Sequence, residues 1–77
     1  MRPEDIQGLI EAAIPDARAT VASPDGVHFE AVVVSASFQG KRPLARHQAV
    51  FAALGERMGG EIHALSLRTL TPDEAGD

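Results

Sequence analysis

The sequence predicts a small α+β sandwich in which two helices cover one face of a three-stranded sheet. Three observations point to it. The hydrophobic period switches along the chain in the order helix, strand, strand, helix, strand. A Pro24-Asp25-Gly26 turn separates the two consecutive strands, which therefore pair antiparallel. Both helical segments carry an apolar stripe, and the same sheet face is the natural cover for both.

Ile6, Leu9, Ile10, Ala13 and Ile14 recur at helical spacing. Pro3 suits the first turn of that helix, Glu4 and Asp5 complement its positive end, and Pro15 stops it near Ile14. From Ala17 to Ser23 the period becomes two, with Ala17, Ala19 and Val21 on one side of a short strand. After the turn, Val27 to Ser35 forms a second strand, with Val27, Phe29, Ala31 and Val33 on one face and His28, Glu30, Val32 and Val34 on the other. Residues 36–41 connect to a second helix opened by Pro43 and running to about Met58. Its expected stripe is Leu44, His47, Phe51, Leu54 and Met58, with Val50 beside it. Gly59-Gly60 ends it, and Ile62 to Leu70 alternates as a third strand: Ile62, Ala64, Ser66 and Arg68 against His63, Leu65, Leu67 and Thr69. Thr71-Pro72-Asp73-Glu74 resembles a helix start but Ala75-Gly76-Asp77 offers it nothing to pack, so residues 73–77 are expected to fray from a single domain spanning 1–72.

Composition narrows the function classes. A chain of 77 residues has room for one core. With 44% hydrophobic and 23% charged residues it should fold as an ordinary globular domain. No cysteine is present, which removes disulfides, thiol nucleophiles and cysteine-built zinc sites. No apolar run approaches the roughly 20 residues that span a bilayer, and no signal-type stretch opens the sequence, so a cytoplasmic address and no membrane partner are expected. The net charge of -4 opposes non-specific polyanion binding, yet Lys41, Arg42, Arg46 and Arg57 face only Glu56 within residues 41–57. Phosphate loops, dinucleotide fingerprints and nucleophile elbows are missing, and Ser23, Ser35, Ser37 and Ser66 have no catalytic surroundings. Enzymatic activity is not expected.

The three histidines carry the chemical interest, because imidazole binds metals and titrates near neutral pH. His47 lies in the apolar seam of the second helix, where a satisfied core histidine is the simpler reading. His28 opens a strand beside a turn and His63 follows the Gly-Gly break; each reads equally as a solvated residue or a functional one. If the second and third strands begin at the same edge, His28 and His63 lie close. Two nitrogens make half a shell for zinc or iron, which usually takes four ligands, so a metal there needs a partner molecule to complete it. The alternative is a nucleic-acid surface built on Lys41, Arg42 and Arg46 at the start of the second helix. A solvated helix face accounts for the same charges, and Phe29, Phe38 and Phe51 are the only rings available for base stacking.

Three segments together resemble the BolA family. Phe38-Gln39-Gly40-Lys41-Arg42-Pro43-Leu44-Ala45-Arg46-His47-Gln48-Ala49-Val50 is similar to its Phe-x-Gly-(Lys)-x-x-Leu-x-Arg-His-x-x-Val signature. Ile62-His63-Ala64-Leu65 with Thr71-Pro72 looks like its Val/Ile-His-Ala-Leu and Thr-Pro ending, and His28-Phe29-Glu30-Ala31-Val32-Val33-Val34-Ser35 fits its central strand. The short Ser23-to-Val27 turn is most similar to the compact IbaG/YrbA-like branch. The resemblance implies a class II KH-like αββαβ fold with a mixed three-stranded sheet. It also implies a monothiol glutaredoxin partner and a 2Fe-2S cluster shared with that glutaredoxin and glutathione, with no cofactor in the isolated chain.

Under that resemblance His63 corresponds to the family's C-terminal ligand histidine. The second ligand of longer members sits in an extended loop that this chain replaces with a tight turn, which leaves His28 as the substitute. The implied roles are iron-sulfur and iron homeostasis, stress response and, as the alternative, transcription regulation through DNA. A Gly-x-x-Gly backbone clamp of the KH type is absent, since Gly40-Lys41-Arg42-Pro43 stands at that connector. The chain alone is expected to be a monomer or weak homodimer.

Overall fold

The computed structural model describes residues 1–76. Its elements are α1 (Pro3–Ala13), β1 (Arg18–Ala22), β2 (His28–Val34), α2 (Pro43–Leu54), β3 (Ala64–Leu70) and α3 (Pro72–Ala75), with 3-10 turns at Ala36–Phe38 and Gly55–Arg57. The sheet order is β1-β2-β3; β1 pairs antiparallel with β2, and β2 pairs parallel with β3. α1 packs on β1 and on α2, and α2 packs on β3, so the helices share one face of a mixed sheet as expected.

Side-chain alternation on β2 decides what that layer encloses. Phe29, Ala31 and Val33 are buried, whereas His28, Glu30 and Val32 are exposed. Ile6, Ile10 and Ile14 of the first helical segment meet Phe29, Val33, Phe38, Val50, Leu54 and Ile62 in one core. Val27, expected on the inner face, lies before the strand and is exposed. At the far end of β2, Ser35 is fully buried with its hydroxyl satisfied: it donates to the Pro15 carbonyl at 2.6 Å and accepts from the Ser37 N–H at 3.1 Å. The turn after α1 is thereby tied to the end of the central strand.

Two expectations for α2 are corrected. The helix ends at Leu54, because Gly55 takes φ 56 and ψ -132, a backbone state that glycine adopts without steric cost. Its buried face is Val50 and Leu54, while Leu44 is 71% and Phe51 39% exposed. Of the expected stripe, Leu54 and the adjoining Val50 are buried, His47 and Met58 are half-buried, and Leu44 and Phe51 lie on the outer flank.

The expected fraying of residues 73–77 also changes, apart from Asp77, which lies outside the described residues. Thr71 and Glu74 form a reciprocal cap on α3: the Thr71 hydroxyl accepts from the Glu74 N–H at 3.2 Å, and Glu74 Oε1 accepts from the Thr71 N–H at 2.9 Å. Arg46 of α2 then closes on the same carboxylate at 2.6 Å. The packing partner that the local sequence lacks is supplied from 28 residues away.

Arg46 holds the Glu74 carboxyl below the ordinary glutamate range, with help from the Thr71 N–H. A depressed folded pKa gives stability that is present above the unfolded value and lost as pH falls through the folded one. Glu74→Gln should lower Tm slightly at pH 7, by a few degrees at most. Thermal melts should show the two proteins converging as pH drops below the ordinary value of 4.5. A Tm gap of equal size at pH 7 and near pH 3 would mean that the carboxylate charge contributes nothing.

Candidate functional site

The β2-β3 register brings two of the three histidines to one end of the sheet. His28, the first residue of β2, pairs with Ala64, the first residue of β3, so His63 immediately precedes its partner on the adjacent strand. Both histidines are exposed.

His28 is placed by the turn before it. Ser23 Oγ accepts from the Gly26 N–H at 2.8 Å and donates to the His28 carbonyl at 2.6 Å. Asp25 Oδ1 accepts from the N–H groups of Val27 at 2.9 Å and His28 at 2.8 Å. The other carboxylate oxygen, Oδ2, lies 2.7 Å from His28 Nδ1. Asp25 is thereby held well below the usual carboxylate range, first by the His28 backbone N–H, then by its ring, then by the Val27 N–H.

His63 reaches the surface by a break in alternation. Counting back along β3, position 62 belongs to the outer face and position 63 to the inner one. The structure reverses both: Ile62 is fully buried and His63 exposed. The cause is the backbone at Gly59-Gly60. The Ile62 N–H donates to the Arg57 carbonyl at 2.8 Å and the Ile62 carbonyl accepts from the Gly59 N–H at 2.8 Å, which fixes Ile62 against Met58 outside the strand and turns its side chain inward. The next residue then faces solvent.

Among the described residues no group of three or more His, Cys, Asp or Glu side chains could hold a metal ion. The donor set at this edge is two imidazoles. That chemistry suits a borderline metal such as zinc or iron and supplies only part of its shell. No helix of the described residues is long and apolar enough to cross a membrane.

The basic set is divided by the structure. Lys41 and Arg42 are exposed just before α2. Arg46 is turned inward, its side chain 11% exposed: Nε donates to the Lys41 carbonyl at 2.8 Å, Nη1 to Glu74 at 2.6 Å, and the guanidinium carbon sits 5.9 Å from the centre of the Phe38 ring. Arg46 is thus engaged on three sides within the fold, unlike the exposed Lys41 and Arg42 with which the sequence groups it as a nucleic-acid surface.

Comparison with known proteins agrees with this architecture. The family model described as BolA, BolA-like protein, matches residues 11–74. A bolA protein homologue from Coxiella burnetii superposes with a TM-score of 0.88 at 45% identity, covering 100% of this chain and 99% of that one. A protein of Acinetobacter guillouiae, named for the rpoN-murA intergenic region, is 39% identical over 75 residues, which are 96% of this chain and 89% of the relative. A Haemophilus influenzae protein named DNA-binding transcriptional regulator BolA is 45% identical over 47 residues, covering 61% of this chain and 46% of its own length.

The reversed pair at the start of β3 makes a direct prediction from burial. Ile62→Ala should cost about 2–5 kcal/mol by leaving a cavity in the core. His63→Ala should change stability by no more than about 0.5 kcal/mol. Urea denaturation of both variants checks this; a comparable loss in His63→Ala would mean that its ring supports the fold.

Proposed function

The chain belongs to the BolA-like protein family, and on that premise we propose that it is a non-enzymatic adaptor that binds a monothiol glutaredoxin and lends histidine ligands to a 2Fe-2S cluster shared with that glutaredoxin and glutathione. The observation that carries the reading is the pair of exposed imidazoles, His28 and His63, on adjacent strands at one end of the sheet with no third ligand beside them among the described residues. A cluster bound at such an edge draws its remaining ligands from the partner, so the chain alone carries none.

His63 is the principal ligand in this reading, because it stands where the family resemblance puts the C-terminal ligand histidine, and it is exposed beside the buried Ile62. His28 is the second. An imidazole exchanged for another ligand alters the electronic spectrum and the potential of an iron-sulfur centre, which gives the reading a spectroscopic signature. We place this work in iron-sulfur and iron homeostasis and the stress response, in the reducing cytoplasm.

A second reading has its own support. The Haemophilus influenzae relative is named as a DNA-binding transcriptional regulator, and Lys41 and Arg42 stand exposed before α2. With Arg46 engaged internally and a net charge of -4, such binding rests on two side chains and is strongly salt-dependent.

Titrating a reconstituted glutaredoxin cluster with this protein tests the first reading. The visible absorption should change to an end-point set by a heterodimer, and His63→Ala should weaken or shift that change, with His28→Ala following. A spectrum indifferent to the protein removes the reading. For the second, the Lys41→Ala, Arg42→Ala double variant should lower DNA affinity at low salt and reduce the salt slope by up to about 2. Absence of DNA binding by the unchanged protein at low salt would remove it.

A further inference from the structure

The turn that carries His28 uses Asp25 twice, and only one of the two uses serves the backbone. Oδ1 accepts both N–H groups of the turn, from Val27 and His28. Oδ2 is left over and meets the imidazole at Nδ1, 2.7 Å away. An asparagine would cap the turn equally well through its own Oδ1. The second contact is what a carboxylate adds.

That contact fixes the ring's chemistry. An ionised carboxylate accepts hydrogen bonds and has none to give, so the proton between Oδ2 and Nδ1 belongs to the ring. In the neutral imidazole the lone pair then resides on Nε2. Among the described residues no hydrogen bond engages Nε2, and the His28 side chain is 65% exposed. Neither His47 nor His63 has a carboxylate hydrogen-bonded to its ring among the described residues. His28 is therefore the histidine of this chain that is orientated, held in one tautomer and left open at one nitrogen.

We propose that Asp25 is a positioning residue that holds His28 in its Nδ1–H tautomer and presents Nε2 as a ready metal-ligating nitrogen. This rests on the reading that His28 contributes to a shared metal shell. A carboxylate behind an imidazole recurs at metal-bound histidines, where it sets the tautomer and ring direction and raises the basicity of the ligating nitrogen. The tight turn thus does locally what an extended loop does by reach: it delivers one nitrogen to the sheet edge in a defined direction. Asp25 itself never touches the metal.

Asp25→Asn separates the two uses. The turn keeps both backbone hydrogen bonds through Oδ1, while the side-chain amide now puts an N–H donor where Oδ2 was. Nδ1 must then accept, which moves the ring proton to Nε2 and occupies the ligating position. Long-range proton-nitrogen spectra of the isolated chain, at a pH where His28 is neutral, read the tautomer directly. The unchanged protein should show Nδ1–H and Asp25→Asn should show Nε2–H, with the melting curve barely moved. Zinc ion followed in the same spectra serves as the metal probe, and its apparent affinity at His28 should fall about tenfold in Asp25→Asn.

An Nε2–H ring in the unchanged protein, an unaltered tautomer in Asp25→Asn, or equal zinc affinity in the two proteins would each overturn the proposal. The functional reading fails separately. A glutaredoxin cluster that ignores His28→Ala removes His28 from the shared shell while the tautomer and zinc results stand, whereas a cluster that needs His28 but tolerates Asp25→Asn leaves that shell intact and removes Asp25's part in it.

Discussion

The parallel pairing of β2 with β3 is the constraint on which the rest of the molecule turns. Its register sets Phe29 beside Leu65, Ala31 beside Leu67 and Val33 beside Thr69, so the inner faces of two strands present one surface to the helices. A slip of one residue would expose Phe29 and Val33, both almost wholly buried, and bring Glu30 and Val32 inward. Hydrophobic burial therefore selects the register, and the register places Ala64, with His63 just before it, next to His28. The juxtaposition of the two imidazoles is a by-product of how the core is packed. No interaction between them is needed to create it.

Parallel strands demand a crossover, and the crossover determines which residues are left to terminate the sheet. The chain leaves β2 through a short 3-10 turn, crosses in α2 and must reverse into β3 within the residues after Leu54. Gly55 stops the helix sharply, and Gly59-Gly60 reverses the chain closely enough for Ile62 to bond back to Arg57. Ile62 plugs the core beneath this turn, and the ring of the next residue has only solvent to face. An exposed histidine at that position thus costs the fold little.

Element order, the turn at 24–26 and the inner face of β2 were legible in the sequence, because each is written in adjacent residues: a period, a turn triplet, an alternation. The misreadings share a cause. Leu44 and Phe51 look like core residues by spacing, as Leu54 and Val50 do, but the orientation of α2 is set by where β3 and α1 lie, and tertiary packing buries Val50 and Leu54 alone. Residues 73–76 look unsupported until Arg46 is brought to Glu74 across 28 positions. At the candidate site the identities of His28 and His63 and the outward face of His28 were readable, whereas the exposure of His63 depended on the Ile62 reversal and the adjacency of the two on a strand register. The Asp25 carboxylate escaped attention because Pro-Asp-Gly is already explained as a turn. Its spare oxygen becomes meaningful only once its 2.7 Å contact with the ring is known.

In the proposed reading, two imidazoles at one end of the sheet would make a weak metal site by themselves, which suits an adaptor's work. A complete four-ligand site inside so small a domain would have to compete with the core for the same side chains. In that reading a half-made shell would make metal retention conditional on a second molecule, so that association and ligation would reinforce each other. The arrangement asks that the two donors be directed in advance, because a mobile ring at a solvent edge would lose its ordering entropy again at each encounter. The backbone before His63 is anchored by the buried Ile62, while the ring of His28 is directed by a carboxylate three residues away. The carboxylate acts on the orientation of the His28 ring while leaving Nε2 free, which is what separates a presented histidine from one that is merely exposed.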